Sequence, residues 1–289
     1  MLLTLFMLVT PRDAVLADYA VRGYRKLLGS VEFRLVVYSN YLLPEQKSYF
    51  FPRWARLPYV EIRHNDHHDA DVEAIKSRVT AERLEGPFEY CDPIWDRELP
   101  RLGSPLVATV DADFELLRAR CVVHMLRAFE SEPRLIGYST DYSPTRLHFE
   151  SFTGEDIILN ERNHTWFCIY RREAFELAGV SHAYYQEIRP DQAIRRDAWD
   201  SSAYFQKSLR DQGYVFRHLE PRYQHDYIHY GAFSKNTTVT RQTVGVFRAL
   251  ALLEHRLPPR PATAVRLLRA RVLRENNRNQ WVREAPIRW

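Results

Sequence analysis

A short apolar run that ends abruptly in two acidic residues constrains the fold of this chain more than any other feature. Residues 106–110 read Leu-Val-Ala-Thr-Val after the turn residues Gly103-Ser104-Pro105, and Asp111-Ala112-Asp113 follows directly. Such a run predicts a short buried strand. Because ligands bind beyond the carboxyl ends of the strands in an open α/β sheet, we expect both carboxylates to face a cleft. Carboxylate oxygens suit Mg²⁺ and Mn²⁺, so the segment predicts a divalent-cation site.

Two acidic clusters can also be interpreted as helix starts. Asp113 could instead cap a helix beginning at residues 114–117, and an isolated Asp-x-Asp motif favours neither interpretation. A second cluster, His64–Asp71, contains three histidines and another Asp-x-Asp. No strand leads directly into this cluster, and Asp69 or Asp71 stands where a helix through Val72 would have its N-cap. We therefore interpret it as a capped, solvated loop rather than a metal site, although one of its histidines could line the site.

The first third of the chain predicts a β-α-β-β order. Residues 1–10 and 33–38 are apolar enough for strands, the second ending at Ser39-Asn40, and residues 59–63 form a weaker third. Between the first two, residues 13–28 show helical spacing that Gly29 ends. Strands separated by helical segments imply crossover connections, and hence a mainly parallel sheet with the site along one edge.

The remainder alternates in the same way. Helical spacing runs from Leu116 to Phe129, residues 135–139 and 165–170 read as strands, and 142–163 reads as a loop or hairpin over the cleft. Residues 197–213 predict an amphipathic helix with Asp200 at its N-terminal end, where a carboxylate is either a cap or a functional group. A strand at 214–219 and a helix at 241–256 follow.

Length and composition limit the class of protein. A chain of 289 residues with 45% hydrophobic residues can form one large α/β domain, or a main domain with a smaller lobe. Its three cysteines suggest neither a disulfide framework nor a zinc motif, which favours a reducing compartment. The apolar start carries no basic residue or cleavage site, so we interpret it as a strand. No run approaches the roughly 20 apolar residues that cross a bilayer.

The order of these segments resembles the GT-A-fold, nucleotide-sugar-dependent glycosyltransferases, and in particular the inverting glycosyltransferase family 2, over roughly residues 1–235. The resemblance rests on the following segments: Val9-Thr10-Pro11, Ser39-Asn40, Asp111-Ala112-Asp113, Tyr170 to Phe175, the Trp199-Asp200 segment running to Gly213-Tyr214, and His229-Tyr230-Gly231. It implies an α/β fold with a Rossmann-like central, mostly parallel sheet flanked by helices, followed here by a helical basic extension.

The resemblance also implies roles for individual residues. Thr10, Pro11 and Asn40 would border the nucleoside, and Asp111, with Ala112 beside it, would contact the ribose or the metal. Asp113 would hold Mg²⁺ or Mn²⁺ at the donor diphosphate, and His229 would complete that site. Asp200 would be the general base of an inverting transfer, as a carboxylate within reach of a hydroxyl can be.

The implied activity is transfer of a sugar from a nucleoside-diphosphate donor, with a UDP-sugar expected, to a hydroxyl of a glycan or lipid-linked saccharide, as in polysaccharide biosynthesis. Two positions depart from the family. The second strand ends in Ser39-Asn40, where many relatives have an acid that reads the base, and the Asp200 to Gly213 spacing is slightly long. Asp197 therefore stays open as a rival base. His164 and Trp166 are candidates for the acceptor site, although the sequence favours a core role for Trp166.

The C-terminal segment is strongly basic. We divide the chain into a catalytic domain at 1–257, with a nucleotide-sugar part at about 1–115 and an acceptor part at about 116–257, and an extension at 258–289. The extension carries eight arginines against two glutamates. It could lie on anionic lipid, pack on a partner such as a second copy of the chain, or cover the main domain. We expect a cytoplasmic protein, with a peripheral position at the inner membrane face left open.

Two other classes of protein compete with the glycosyltransferase. A sugar-phosphate nucleotidyltransferase would share the nucleotide-binding sheet, but it usually has a Gly-rich loop and a lysine after the first strand, and Thr10-Pro11-Arg12-Asp13 has neither. A non-enzymatic nucleic-acid-binding protein is suggested only by the arginine-rich end. Steeply salt-dependent binding to generic duplex would favour that alternative.

Overall fold

The computed structural model describes residues 2–82, 91–149, 156–183, 185–188, 195–200, 202–231, 241–254, 256–258 and 261–269. Fifteen strands lie in these ranges. In chain order they are β1 (Leu3–Val9), β2 (Phe33–Ser39), β3 (Val60–His64), β4 (Leu106–Asp111), β5 (Phe114–Leu116), β6 (Leu135–Ser139), β7 (Tyr142–Ser143), β8 (Arg146–Phe149), β9 (Asp156–Leu159), β10 (Arg162–Asn163), β11 (Phe167–Arg171), β12 (Tyr185–Ile188), β13 (Arg195–Trp199), β14 (Val215–His218) and β15 (Tyr227–His229).

Eight α-helices accompany them in the described ranges: α1 (Ala14–Gly23), α2 (Pro44–Trp54), α3 (His68–Glu82), α4 (Cys91–Glu98), α5 (Arg120–Ser131), α6 (Ala174–Leu177), α7 (Ala203–Asp211) and α8 (Arg241–Glu254). Short 3₁₀ helices span Tyr24–Leu27, Leu99–Arg101 and Pro221–Asp226. A further helical stretch covers residues 261–269.

Seven strands form the central sheet in the order β14-β6-β11-β4-β1-β2-β3. Every neighbouring pair is parallel except the two that involve β11, which runs antiparallel to both β4 and β6. Helices flank the sheet, so the expected α/β architecture is confirmed. The strand order reverses at β1, which has β2 on one side and β4 on the other. In open α/β sheets this reversal is where a ligand cleft forms, beyond the carboxyl ends of the two strands.

The sheet is buried on both faces because its strands are apolar almost throughout. Leu3, Leu5 and Met7 of β1 point to one face and pack in a core with α1, α2 and α5. Phe6 points to the opposite face and packs against α4. This alternation follows from the two-residue period of a strand, and burial on both faces is typical of parallel sheets.

Smaller sheets lie beside the main one. β5 pairs with β15, β7 with β10, and β12, β13, β9 and β8 form a four-stranded sheet. The segment 142–163, predicted as a loop or hairpin, thus supplies four short strands. The β5–β15 pair matters most for function, because it brings the chain around residue 229 next to the acidic residues that follow β4.

Two predicted helices were wrong at their N-terminal ends. Phe114 to Leu116 forms β5 rather than the first turn of a helix, so Asp113 caps no helix, and α5 begins only at Arg120. Residues 195–199 form β13, which pairs with β12 and β9, so α7 begins at Ala203 and not at Asp197. In both places the backbone pairs with a distant strand, and such pairing overrides the local helical pattern.

The His64–Asp71 cluster differs from the predicted solvated loop. Its α3 helix begins at His68, so Asp69 and Asp71 lie inside the first turn rather than at the N-cap. Asp71 is buried and forms an ion pair with Arg97 of α4. It therefore stabilises the packing of α3 against α4, because a buried carboxylate needs a paired cation.

The start of the basic extension packs on α8. In residues 261–269, Ala262 is buried, and Arg266 and Arg269 both form ion pairs with Glu254. Residues 270–289, which carry most of the extension's arginines, lie outside the described residues. Within the described part of the chain, no helix combines the length and the low polarity that a bilayer crossing requires.

Candidate metal centre and cleft

Strand geometry places the Asp-x-Asp motif at the reversal point of the sheet. Asp111 is the last residue of β4 and lies in register with Leu8 of β1. Its backbone N–H donates to the carbonyl of Trp166, just before β11. Asp113 follows two residues later, immediately before β5, and its side chain is only 5% exposed, against 43% for Asp111. The motif therefore faces the expected cleft with one carboxylate open and one buried.

His229 reaches the motif through the β5–β15 pair. It is the last residue of β15 and lies opposite Phe114 of β5. The next backbone N–H, that of Tyr230, donates to the carbonyl of Asp113 over 2.9 Å. This register fixes the imidazole beside the acidic pair, because a shift by one residue would turn the side chain to the other face.

Asp111, Asp113 and His229 form one cluster whose ligand-type atoms all lie within 4.8 Å of one another. His229 Nε2 lies 3.2 Å from Asp113 Oδ1 and 3.9 Å from Asp111 Oδ2. In an octahedral site with ligands about 2.1 Å from the ion, adjacent ligands lie about 3 Å apart. The cluster therefore has the spacing and the donor set, two carboxylates and an imidazole, that fit Mn²⁺ or Mg²⁺.

The charges of the cluster change the proton affinities of nearby groups. Burial lowers the pKa of His229, but the Asp113 carboxylate, by charge and hydrogen bond, and the charges of Asp111 and Asp141 raise it above its ordinary value overall. The pKa of Asp13, a carboxyl near the cluster, changes mainly because the group is buried. Burial, reinforced by the charge of Asp113, raises the pKa of Asp13 to about 7, although the Thr10 hydroxyl donates to it over 2.6 Å.

Asp13 was missed by the sequence prediction. It precedes α1 at the N-cap position, but its side chain forms no cap hydrogen bond. Its carboxylate instead accepts from Thr10, at the end of β1. An acidic residue at a helix start is normally interpreted as a cap, so the sequence contains no signal that this one belongs to the cleft.

Asn40 extends the cleft away from the metal cluster. It follows β2, is 1% exposed, and its Oδ1 lies 2.9 Å from Asn65 Nδ2 and 3.1 Å from His68 Nδ1. One histidine of the His64–Asp71 cluster thus contacts a predicted nucleoside-site residue. Pro11 is fixed by its carbonyl, which accepts from Gln46 Nε2 of α2.

Tyr41 is a second residue that sequence reasoning missed. It adopts φ 47°, a left-handed conformation that is uncommon outside glycine, and its side chain is 45% exposed. Its ring packs on His68 with centroids 4.2 Å apart. Burial raises the pKa of Tyr41, and the opposing charges of Arg12 and Asp13 also act on it, so its hydroxyl lies near the start of α1. The conformation places an aromatic ring at the cleft, and strained backbone of this kind clusters at ligand sites.

The two predicted acceptor residues lie next to the metal cluster. The Trp166 ring packs on His229 with centroids 3.9 Å apart, and the His164 ring packs edge-on against the same indole with centroids 4.2 Å apart. His164 Nε2 lies 2.8 Å from Ser143 Oγ. Burial, aided by the charges of Arg162, His229 and Arg146, lowers the pKa of His164 to about 3. His164 is therefore a neutral imidazole at physiological pH.

Asp200 follows β13 and forms an ion pair with Arg162 of β10 over 2.5 Å. Four residues beyond Arg162, Trp166 contacts His229. The segment 162–166 therefore connects the candidate base to the metal cluster, over at most about 13 Å of extended chain. The rival residue, Asp197, lies within β13 and is 4% exposed, so it is much less accessible than Asp200.

No family model and no curated protein matches this chain. Among solved structures, similar chains include the mannosyltransferase PcManGT from Pyrobaculum calidifontis in complex with GDP-Man and Mn²⁺, at 11% identity and a TM-score of 0.46, with 96% of this chain and 82% of that chain covered. Another is TarS residues 1–349 from S. aureus in complex with UDP-GlcNAc, at 12% identity and a TM-score of 0.39, with 88% and 66% covered.

A third similar structure is a CMP:2-keto-3-deoxy-manno-octonic acid synthetase complexed with CTP, at 12% identity and a TM-score of 0.38, with 76% of this chain and 90% of that chain covered. All three TM-scores are below 0.5, so these similarities carry no argument about function. A functional assignment for this protein therefore depends on the chemistry of its own cleft.

Proposed function

We propose that this protein is a metal-dependent glycosyltransferase that transfers a sugar from a nucleoside-diphosphate donor to a hydroxyl acceptor, with inversion at the sugar carbon. The observation that carries the proposal is the Asp111, Asp113 and His229 cluster at the carboxyl end of β4, where the sheet order reverses. A nucleotide that binds at such a reversal point directs its phosphates toward these ligands.

Asp111, Asp113 and His229 would hold Mn²⁺ or Mg²⁺. When bound, the ion would supply positive charge that offsets the negative charge developing on the departing diphosphate. Buried Asp113 would fix the ion's position, and the more exposed Asp111 would contact the ribose as well.

The nucleoside would lie along Thr10, Pro11 and Asn40, with Ala112 at the floor of the cleft. The exposed ring of Tyr41 would stack on the base, and aromatic stacking tolerates any base. A UDP-sugar remains the donor that we expect. The Asn40 amide oxygen is already close to Asn65 and His68. These two neighbours of Asn40 would therefore contribute to recognition of the base as much as Asn40 itself.

We assign the general base to Asp200. Its ion pair with Arg162 holds the carboxylate at one end of the 162–166 segment, and removal of the acceptor proton by such a group contributes typically 10²–10⁴-fold to rate. A single displacement with base assistance inverts the reacting carbon. His164 and Trp166, between the base and the cluster, would line the acceptor sugar, which is a glycan or lipid-linked saccharide in our proposal.

The proposed arrangement divides the chain as the sequence predicts, with the donor part at about 1–115, the acceptor part at about 116–257 and the basic extension at 258–289. We propose that the protein acts in the cytoplasm. A peripheral membrane contact or a dimer through the extension is compatible with the same active site.

A thermal-shift screen tests the proposal. UDP-, GDP-, CDP- and dTDP-sugars are added with and without Mn²⁺, since a ligand that binds only the folded state raises its stability. We expect one donor class to raise the unfolding temperature only when Mn²⁺ is present. Asp113→Asn should abolish that shift, whereas Asp211→Asn, an exposed carboxamide replacement on α7, should retain it.

The donor that passes this screen is then tested for release of its nucleoside diphosphate with hydroxyl acceptors. A protein that binds no nucleotide sugar with metal, or that instead releases pyrophosphate from a nucleoside triphosphate and a sugar phosphate, would contradict the proposal. The second result would identify a nucleotidyltransferase.

A further inference from the structure

A second cavity, of about 540 Å³, lies between the end of α1, the end of β5 and α8. It is separate from the metal cleft, because Glu115 faces it whereas Asp113, two residues earlier, faces the metal cluster. Gly23 brings the end of α1 so close to β5 that an added Cβ would lie 2.9 Å from the carbonyl oxygen of Leu116. The walls are therefore held together tightly, and the volume is within the range that small ligands occupy.

The lining of this cavity is strongly basic. Six of the lining side chains are cationic, and Glu115 is the one carboxylate among the lining residues that the structure describes. The cations are Arg22, Arg25, Lys26, Arg118, Arg248 and Arg256.

Some of this charge is compensated locally. Arg248 binds the buried Glu115 through its guanidinium, and the Tyr230 hydroxyl donates a hydrogen bond to the same carboxylate. Arg22 pairs with Asp18, and Arg118 lies 3.9 Å from Asp226. These three cations have a structural explanation.

Arg25, Lys26 and Arg256 have no such explanation. All three are exposed, and none has a carboxylate within ion-pair distance in the part of the chain that the structure describes. The cavity lies near the carboxyl ends of α1 and α8, each equivalent to about half a negative charge. Two helix ends together offset about one of the three cations, so a positive surplus remains along the cavity lining.

We infer that this cavity is a binding site for a phosphate-bearing anion, separate from the proposed donor site. Guanidinium groups match phosphate oxygens with paired hydrogen bonds, and three uncompensated cations favour a ligand with two or more negative charges. A soluble diphosphate and the phosphate headgroup of an anionic lipid share this chemistry. The inference does not depend on the proposed transferase activity, because no residue of the metal cleft lines the cavity.

Titration calorimetry with inorganic pyrophosphate in EDTA tests the inference, because EDTA removes the metal that the donor site would need. The wild-type protein should bind pyrophosphate, and binding should weaken as NaCl is raised. Lys26→Glu/Arg256→Glu should weaken binding at least tenfold, and Lys26→Ala/Arg256→Ala should weaken it by less. Arg101→Glu/Arg127→Glu, which changes the net charge equally at exposed sites outside the cavity, should bind as the wild type does. Asp113→Asn should also bind pyrophosphate normally.

Cosedimentation with vesicles separates the two sources of phosphate. Vesicles of phosphatidylcholine with phosphatidic acid are compared with vesicles of phosphatidylcholine alone. Selective binding that the Lys26→Glu/Arg256→Glu variant loses would identify a lipid headgroup as a ligand, and pyrophosphate binding without vesicle binding would identify a soluble one. The inference is overturned if neither probe binds, or if the variant and its charge-matched control bind equally.

Discussion

The indole of Trp166 packs directly on the imidazole of His229, with 3.9 Å between the ring centroids. A backbone hydrogen bond from Asp111 to the Trp166 carbonyl fixes the same residue to the acidic motif. The fluorescence of Trp166 should therefore report on metal binding at this cluster.

Mn²⁺ should quench part of the tryptophan emission, because a bound paramagnetic ion would be held by His229, whose ring contacts Trp166. Trp166→Phe should remove most of this quenching, and Trp95→Phe, on the core-facing side of α4, should leave it unchanged. His229→Asn should raise the Mn²⁺ concentration needed for half quenching by at least about tenfold, in the range typical of damaged metal sites. Diamagnetic Mg²⁺ should compete without quenching. Equal quenching in Trp166→Phe would place the metal elsewhere.

Replacement of the candidate base should separate donor binding from transfer. Asp200→Asn should keep donor affinity within about twofold but lower turnover by about 10²–10⁴-fold, because the carboxamide cannot accept the acceptor's proton. Donor affinity is measured by thermal shift and turnover by release of the nucleoside diphosphate. Asp197→Asn, on the buried β13 strand, serves as the matched comparison. If Asp197→Asn alone loses turnover, the base is Asp197.

Asp13 should make the metal-free protein less stable as pH rises. Its pKa is raised from about 3.8 to about 7, so the folded state keeps a proton that the unfolded chain releases between these values. Stability is therefore lost as pH increases across this interval, by a few kcal/mol at most, on the order of 1.4 kcal/mol for each pH unit. Asp13→Asn should be more stable than the wild type at pH 8 and nearly equal to it at pH 4. Urea unfolding in EDTA measures both values.

The control for this effect is Asp211→Asn, whose carboxylate lies in an exposed pair with Lys207 and should not change the pH dependence. Mn²⁺ should reduce the difference between wild type and Asp13→Asn at pH 8, because a cation near Asp113 would offset the negative charge that acts on Asp13. An Asp13→Asn protein that is no more stable than the wild type at pH 8 would contradict the prediction.

Gly137 should tolerate no side chain. It lies in β6, and an added Cβ would lie 2.2 Å from Phe216 Cε1 of the neighbouring β14. Gly137→Ala should lower the free energy of unfolding by about 1–3 kcal/mol, as overpacked cores do. The double variant Gly137→Ala/Phe216→Leu should recover part of the loss. Gly103→Ala, where nothing lies within 4 Å of the added carbon, should have little effect in the same urea titration.

The sequence predicted those parts of the molecule that local pattern determines. β1, β2 and β4 are mostly apolar, so their identity as buried strands and the placement of Asp111 and Asp113 at a strand end could be inferred directly. His229 was assigned from a family resemblance rather than from its surroundings. The contact with Asp113 exists because β15 pairs with β5, and no local signal encodes that pairing.

What the prediction missed depends on contacts between distant segments. β5 has only three residues, and β13 is held by β9 and β12, so both were interpreted as helix. In the sequence, Asp13 resembles an ordinary helix cap. Its burial and its proximity to Asp113 arise only in the folded chain. Tyr41 reaches the cleft because its φ is positive. Residues other than glycine rarely adopt a positive φ, so nothing in the sequence gave reason to expect this conformation.

The β5–β15 pair joins residues more than a hundred positions apart in the sequence, and its register depends on the hydrogen bond between Tyr230 and Asp113. Neither the acidic motif nor the histidine can assemble a three-ligand set until these two strands pair. Affinity for a divalent ion is then acquired only with the native topology, so a folding intermediate that lacks this pairing has no such site. Metal uptake during refolding would therefore report when β15 pairs with β5.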